Sequence, residues 1–115
     1  LFLPRTFPAT ADQAIADCRG IDPTVLSNQG VSSQGSPWLA GSTSCVVGHG
    51  ETPNNMSCMF PPGRILNVAS SAHPGGVNVL FCDGTVRFAK DSVSRPVWRG
   101  LGTRAGGEVI SSDSF

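Results

Sequence analysis

The sequence predicts an α+β fold, a small antiparallel sheet accompanied by short helices and long loops, and three observations carry that expectation. Two apolar runs, VNVLFC (77–82) and TVRFAK (85–90), flank Asp83-Gly84, a strong short-range hairpin signal. Helical periodicity appears only in two brief stretches, one near each end. Fourteen Gly and nine Pro, with only 14% charged residues, suit a loop-rich domain better than a helical bundle. At 115 residues the chain is expected to be one domain, 1–115, with a modest core.

The first helix is expected in TADQAIADCRG (10–20). Thr10 and Gln13 fit a capping box, and Ala11, Ala14, Ile15 and Cys18 recur on one face. Gly20 is placed to end the helix as a left-handed residue. From Ile21 to Gly63 turn formers dominate, and a structureless loop of that length is unusual, so short strands or a pinned excursion are expected there. Trp38 is read as the anchor of this excursion, the competing reading being a platform for a ligand. His49 and Glu51 stand two apart in GHGET with no third partner evident, and no catalysis is expected from them.

A type I′ turn at Asp83-Gly84 would pair Cys82 with Thr85. That register puts Val77, Val79, Phe81, Val86 and Phe88 on one face, and Asn78, Leu80, Cys82, Thr85, Arg87 and Ala89 on the other. Ahead of it, His73 precedes Pro74 and is biased to extended backbone, while Gly75-Gly76 permits a sharp change of direction. Extended chain at ~3.4 Å per residue separates His73 from Asp83 by roughly 30 Å, so the two are not expected to form a dyad. Beyond the hairpin, Ser94 is placed to cap a short helix with Pro96 in its first turn, Val97, Trp98 and Leu101 inward and Gly102 closing it. Val109-Ile110 is expected as an edge strand, and Glu108 as a tie to a backbone amide or an Arg.

Eight basic residues balance eight acidic ones, which leaves no field to attract nucleic acid or an anionic membrane. No run approaches the roughly 20 apolar residues of a membrane span, and LFLPRTFP is interrupted by Pro4, Arg5 and Pro8. The sequence starts at Leu1 without a methionine, which is expected to reflect a missing upstream portion. The four cysteines, Cys18, Cys45, Cys58 and Cys82, show no zinc-type spacing; an even count in a small Gly- and Ser-rich domain points to disulfides and an extracytoplasmic location. Three complete pairings exist. Cys18 with Cys58 is favoured, because it ties the inner face of the first helix to the long loop; Cys45 and Cys82 are then paired with each other or left as thiols.

The segment HPGGVNVLFCDGTVRF, with His73, nine intervening residues and Asp83-Gly84, runs on into VWRGLGTRAGGEVISSD. With PNNMSC and ASSAHPGG it resembles, over residues 68–113, the DUF1559 or prepilin-type H-X9-DG proteins, which are similar to the pseudopilins of type II secretion. The resemblance implies a type IV pilin-like head whose sheet packs against a long hydrophobic N-terminal helix; that helix is not in this sequence. It implies structural roles for His73, Gly75, Gly76, Asp83 and Gly84, and assembly with other protein subunits of a filament or cell-surface complex, with Trp38 and Trp98 as contact candidates. No enzyme activity is expected, since no nucleophile, base and orienter form a recognised set. No cofactor is expected either: Asp91, Glu108 and Asp113 supply oxygens for calcium but are scattered rather than arranged as a binding loop. The alternative is an extracytoplasmic module binding a small solute or glycan through Trp38 and the polar loops.

Overall fold

A computed structural model of the chain describes residues 8–31, 46–60 and 63–114. Its secondary structure is α+β, with two helices and two small antiparallel sheets of two strands each. The described residues divide into two compact units: those up to Gly48 with Met56–Asn67, and His49–Asn55 with Val68 onward. Trp38 and Cys45 lie outside the described residues.

In the first unit, α1 spans Ala11–Arg19. Thr10 Oγ1 accepts from the Gln13 amide at 3.2 Å, but the Gln13 side chain donates forward to Asp17 Oδ1 at 2.7 Å. The capping box is therefore one-sided. Gly20 closes the helix in right-handed geometry (φ −77°), its amide bonded to Ala16 O, and not as the left-handed residue expected. Ile15 and Cys18 are buried, as the periodicity predicted, whereas Ala11 is exposed. Strands β1 (Cys58–Phe60) and β2 (Arg64–Leu66) form a short antiparallel pair with Met59 opposite Ile65. Cys58 thus sits in a strand and not in a loop. The core gathers Cys18, Cys58 and Phe60, with Ala14, Ile21, Met56 and Leu66 packed around them. The Cys18–Cys58 disulfide joins α1 to β1 across 40 residues, the pairing favoured from the sequence.

In the second unit, β3 (Gly76–Leu80) and β4 (Val86–Lys90) form the expected hairpin, followed by α2 (Arg95–Leu101). Its register differs by one residue: Leu80 pairs with Val86, Val79 with Arg87, Asn78 with Phe88 and Val77 with Ala89. The Phe81 amide bonds Thr85 O at 2.8 Å and the Gly84 amide bonds Phe81 O at 2.9 Å, so the loop holds three residues, Cys82 to Gly84. A type I′ turn requires positive φ at both central residues. Gly84 has it (φ +85°), but among described non-glycine residues only Asn54 does. The cause is Thr85, whose amide and hydroxyl donate to Asp83 Oδ1 at 2.9 and 2.7 Å and hold Asp83 in ordinary geometry, leaving Gly84 as the single left-handed residue of a three-residue loop.

One residue of slip exchanges the faces. Val77 and Val79 keep the inner face, now with Ala89 and Arg87 opposite; Val86 and Phe88 move to the outer face beside Asn78 and Leu80. Accordingly Val77 and Ala89 are buried and join Val93 and Trp98 in the core, with Val97 and Leu101 of α2 against them. Ser94 occupies the N-cap of α2 without a side-chain capping bond, and Gly102 ends it in right-handed geometry. The expected edge strand at Val109-Ile110 is absent, Val109 being fully exposed, and Glu108 accepts from the Thr103 hydroxyl at 3.0 Å rather than from an amide or an Arg.

Candidate functional site

Proline after His73 and two glycines after that set the chain's entry to β3, while Asp83-Gly84 sets its exit. His73 is exposed before the strand, its amide donating to Ser71 Oγ at 3.1 Å. Gly75 has φ +95°, and Gly76 lies so close to β4 that a Cβ would collide with Ala89 O and stand 2.9 Å from Lys90 Cα. At the exit, the Thr85 amide and then its hydroxyl hold the exposed Asp83 carboxyl below the usual carboxylate range. The structure brings Gly75 and Gly76 to β4 and Asp83 to Thr85; it does not bring His73 to Asp83, because one ends where the strand begins and the other starts where it finishes.

A second constellation was not anticipated. Gly48-His49-Gly50-Glu51 reads as a polar turn, yet Glu51 is 2% exposed. Its Oε1 accepts from the Thr52 amide at 2.9 Å, and Arg95 reaches both carboxylate oxygens, Nε to Oε1 at 3.4 Å and Nη2 to Oε2 at 3.3 Å. Arg99, one turn further along α2, donates to Gly50 O at 3.2 Å. His49 stacks on Trp98 with centroids 4.5 Å apart and planes within 9°. Its Nδ1 lies 3.1 Å from Trp98 O, and since a carbonyl only accepts, Nδ1 carries the proton. Burial pushes the His49 pKa below its ordinary value. Asn54 closes the loop in left-handed geometry, its amide donating to Ala69 O at 2.8 Å and its Oδ1 accepting from the Ser71 amide at 2.9 Å. This is a clamp holding 49–55 against α2. The signal available in the sequence was Arg95 and Arg99 four apart on one helix face, two cations facing an otherwise charge-poor chain.

Trp98, a contact candidate, is 1% exposed and belongs to the core of its unit. On the outer face of the hairpin, by contrast, Leu80, Val86 and Phe88 are 71%, 64% and 47% exposed. Cys82 is a free, exposed thiol in the loop above them. Among the described residues no three His, Cys, Asp or Glu side chains gather as metal ligands, and Asp91, Glu108 and Asp113 are not brought together.

Residues 5–95 match the family described as "Protein of unknown function (DUF1559)". The match reaches further towards the N-terminus than the 68–113 segment that carried the resemblance, and stops at the start of α2. No curated protein and no solved structure matches the chain.

Proposed function

Because the chain belongs to the DUF1559 family, we propose that it is the extracytoplasmic head of a pseudopilin-like subunit, a non-enzymatic module that assembles with other protein subunits. The observation that carries this reading is the outer face of the β3–β4 hairpin. Leu80 and Val86 are cross-strand partners and Phe88 is next along β4 on the same face, so three large apolar side chains form one contiguous exposed surface. Contiguous exposed apolar surface of this kind marks interaction sites. The Cys18–Cys58 disulfide supports an oxidising compartment, and no helix among the described residues is long and apolar enough to cross a membrane.

Light scattering on the chain across a dilution series tests the reading, together with a photo-crosslinking side chain placed at Phe88 in the producing cells. Association at high concentration that disappears in Leu80→Ser/Val86→Thr/Phe88→Ser, and crosslinks to protein subunits from Phe88 but not from the exposed Arg19, are expected. A monomer at every concentration combined with no crosslink from Phe88 would overturn it.

A further inference from the structure

The turn end of the same hairpin borders an open cleft of about 510 Å³, lined by His49, Val79, Phe81, Cys82, Leu101 and Arg104 among others. Its volume falls within the few-hundred Å³ range of small-molecule sites. We propose that this cleft binds a small carboxylate carried on an apolar body and bearing a hydrogen-bond donor near the carboxylate.

Each part of that ligand has a counterpart. Val79 and Leu101 are half-buried and pack on the core cluster of this unit, so the apolar floor of the cleft continues that core. At the rim, Arg104 is exposed and makes no hydrogen bond or ion pair with the described residues, leaving a guanidinium whose five donors suit a carboxylate. On the wall, His49 is fixed three ways: by its stack on Trp98, by the Nδ1–H bond to Trp98 O, and by Gly102, where a Cβ would stand 2.6 Å from His49 Cγ. With Nδ1 protonated, Nε2 keeps its lone pair and accepts from a hydroxyl or amine. A wall fixed before the ligand arrives loses little freedom on binding. Cleft and outer face share Leu80, so the test uses neither Leu80 nor assembly as its readout.

The experiment is titration of the isotope-labelled full chain, followed by amide shifts, with phenyllactate, hydrocinnamate and phenethyl alcohol. Phenyllactate should bind most tightly and the neutral alcohol least, with saturable shifts at Val79, Phe81 and Leu101. Arg104→Ala, at an exposed position, should weaken both acids about three- to tenfold, the loss of a charge-assisted hydrogen bond at a partly solvated site. His49→Phe, which keeps the stack, should bring phenyllactate down to hydrocinnamate. No saturable shift at those amides, an alcohol binding as tightly as the acids, or an unchanged affinity in Arg104→Ala would overturn the proposal. None of these outcomes bears on assembly through the outer face.

Discussion

Gly76 and Gly84 are both required, for different physical reasons. At Gly84 the constraint is the left-handed backbone alone, since nothing stands within 4 Å of a Cβ there; Gly84→Ala should cost about 1 kcal/mol. At Gly76 the constraint is the neighbouring strand, whose Ala89 carbonyl and Lys90 Cα occupy the space. Gly76→Ala should cost roughly 2–4 kcal/mol, overpacking and strained backbone together, and urea midpoints of the two variants will rank them. Histidine gives a second test at this scale. His49 has a folded pKa below its ordinary value because burial disfavours the charged ring. The unfolded chain therefore binds the extra proton first as pH falls. Its contribution is intact above the ordinary pKa near 6.5 and is lost as pH falls from there through the folded value. Comparing the stability–pH profile with that of His49→Phe between pH 7.5 and about 5 should show a steeper decline in the parent chain; parallel profiles would contradict the burial argument.

Among the elements, the 49–55 loop and α2 stand or fall together. Glu51 is buried and Arg95 is its cationic partner, so removing the cation leaves a buried carboxylate without the Arg95 charge that offsets its desolvation. Arg95→Ala should cost roughly 2–4 kcal/mol, and Glu51→Gln, which removes the charge itself, less. Hydrogen exchange will locate the damage: the Asn54 amide, bonded to Ala69 O, should lose protection in Arg95→Ala. The hairpin shows how far pattern reading reaches. Apolar alternation and Asp-Gly located both strands, because period two and turn chemistry are local properties. The register was not legible. It depended on whether Thr85 would cap the Asp83 carboxylate and so lengthen the loop by one residue, and that competition moved Val86 and Phe88 from the expected core to the surface. Short strands or a pinned excursion were expected between Ile21 and Gly63, where β1 lies, but the β1–β2 pair could not be placed because three residues per strand give no periodicity to read.

For the molecule as a whole, the disulfide is the strongest lever on the first unit. It closes a 40-residue loop onto the cluster of Cys18, Cys58 and Phe60, and loop-closure entropy assigns such a bridge about 4 kcal/mol. Reduction, or Cys18→Ser with Cys58→Ser, should therefore strip hydrogen-exchange protection from α1 at a temperature where the oxidised chain retains it. Unchanged protection after verified reduction would show that packing alone suffices. The sequence by itself determined the fold class, both helices, the hairpin's place and the family, since each is written in local pattern, spacing or motif; it favoured Cys18–Cys58 among three complete pairings, and the structure decided it. Only the tertiary structure decided which hairpin face is exposed, that Glu51 is buried against Arg95, and that His49 lies on Trp98. The first turned on the Thr85–Asp83 hydrogen bonds that set the loop length; the other two depend on contacts between residues more than forty positions apart, where the balance of burying a charge or a ring against its new partners is set by three-dimensional packing and leaves no periodic trace in the chain.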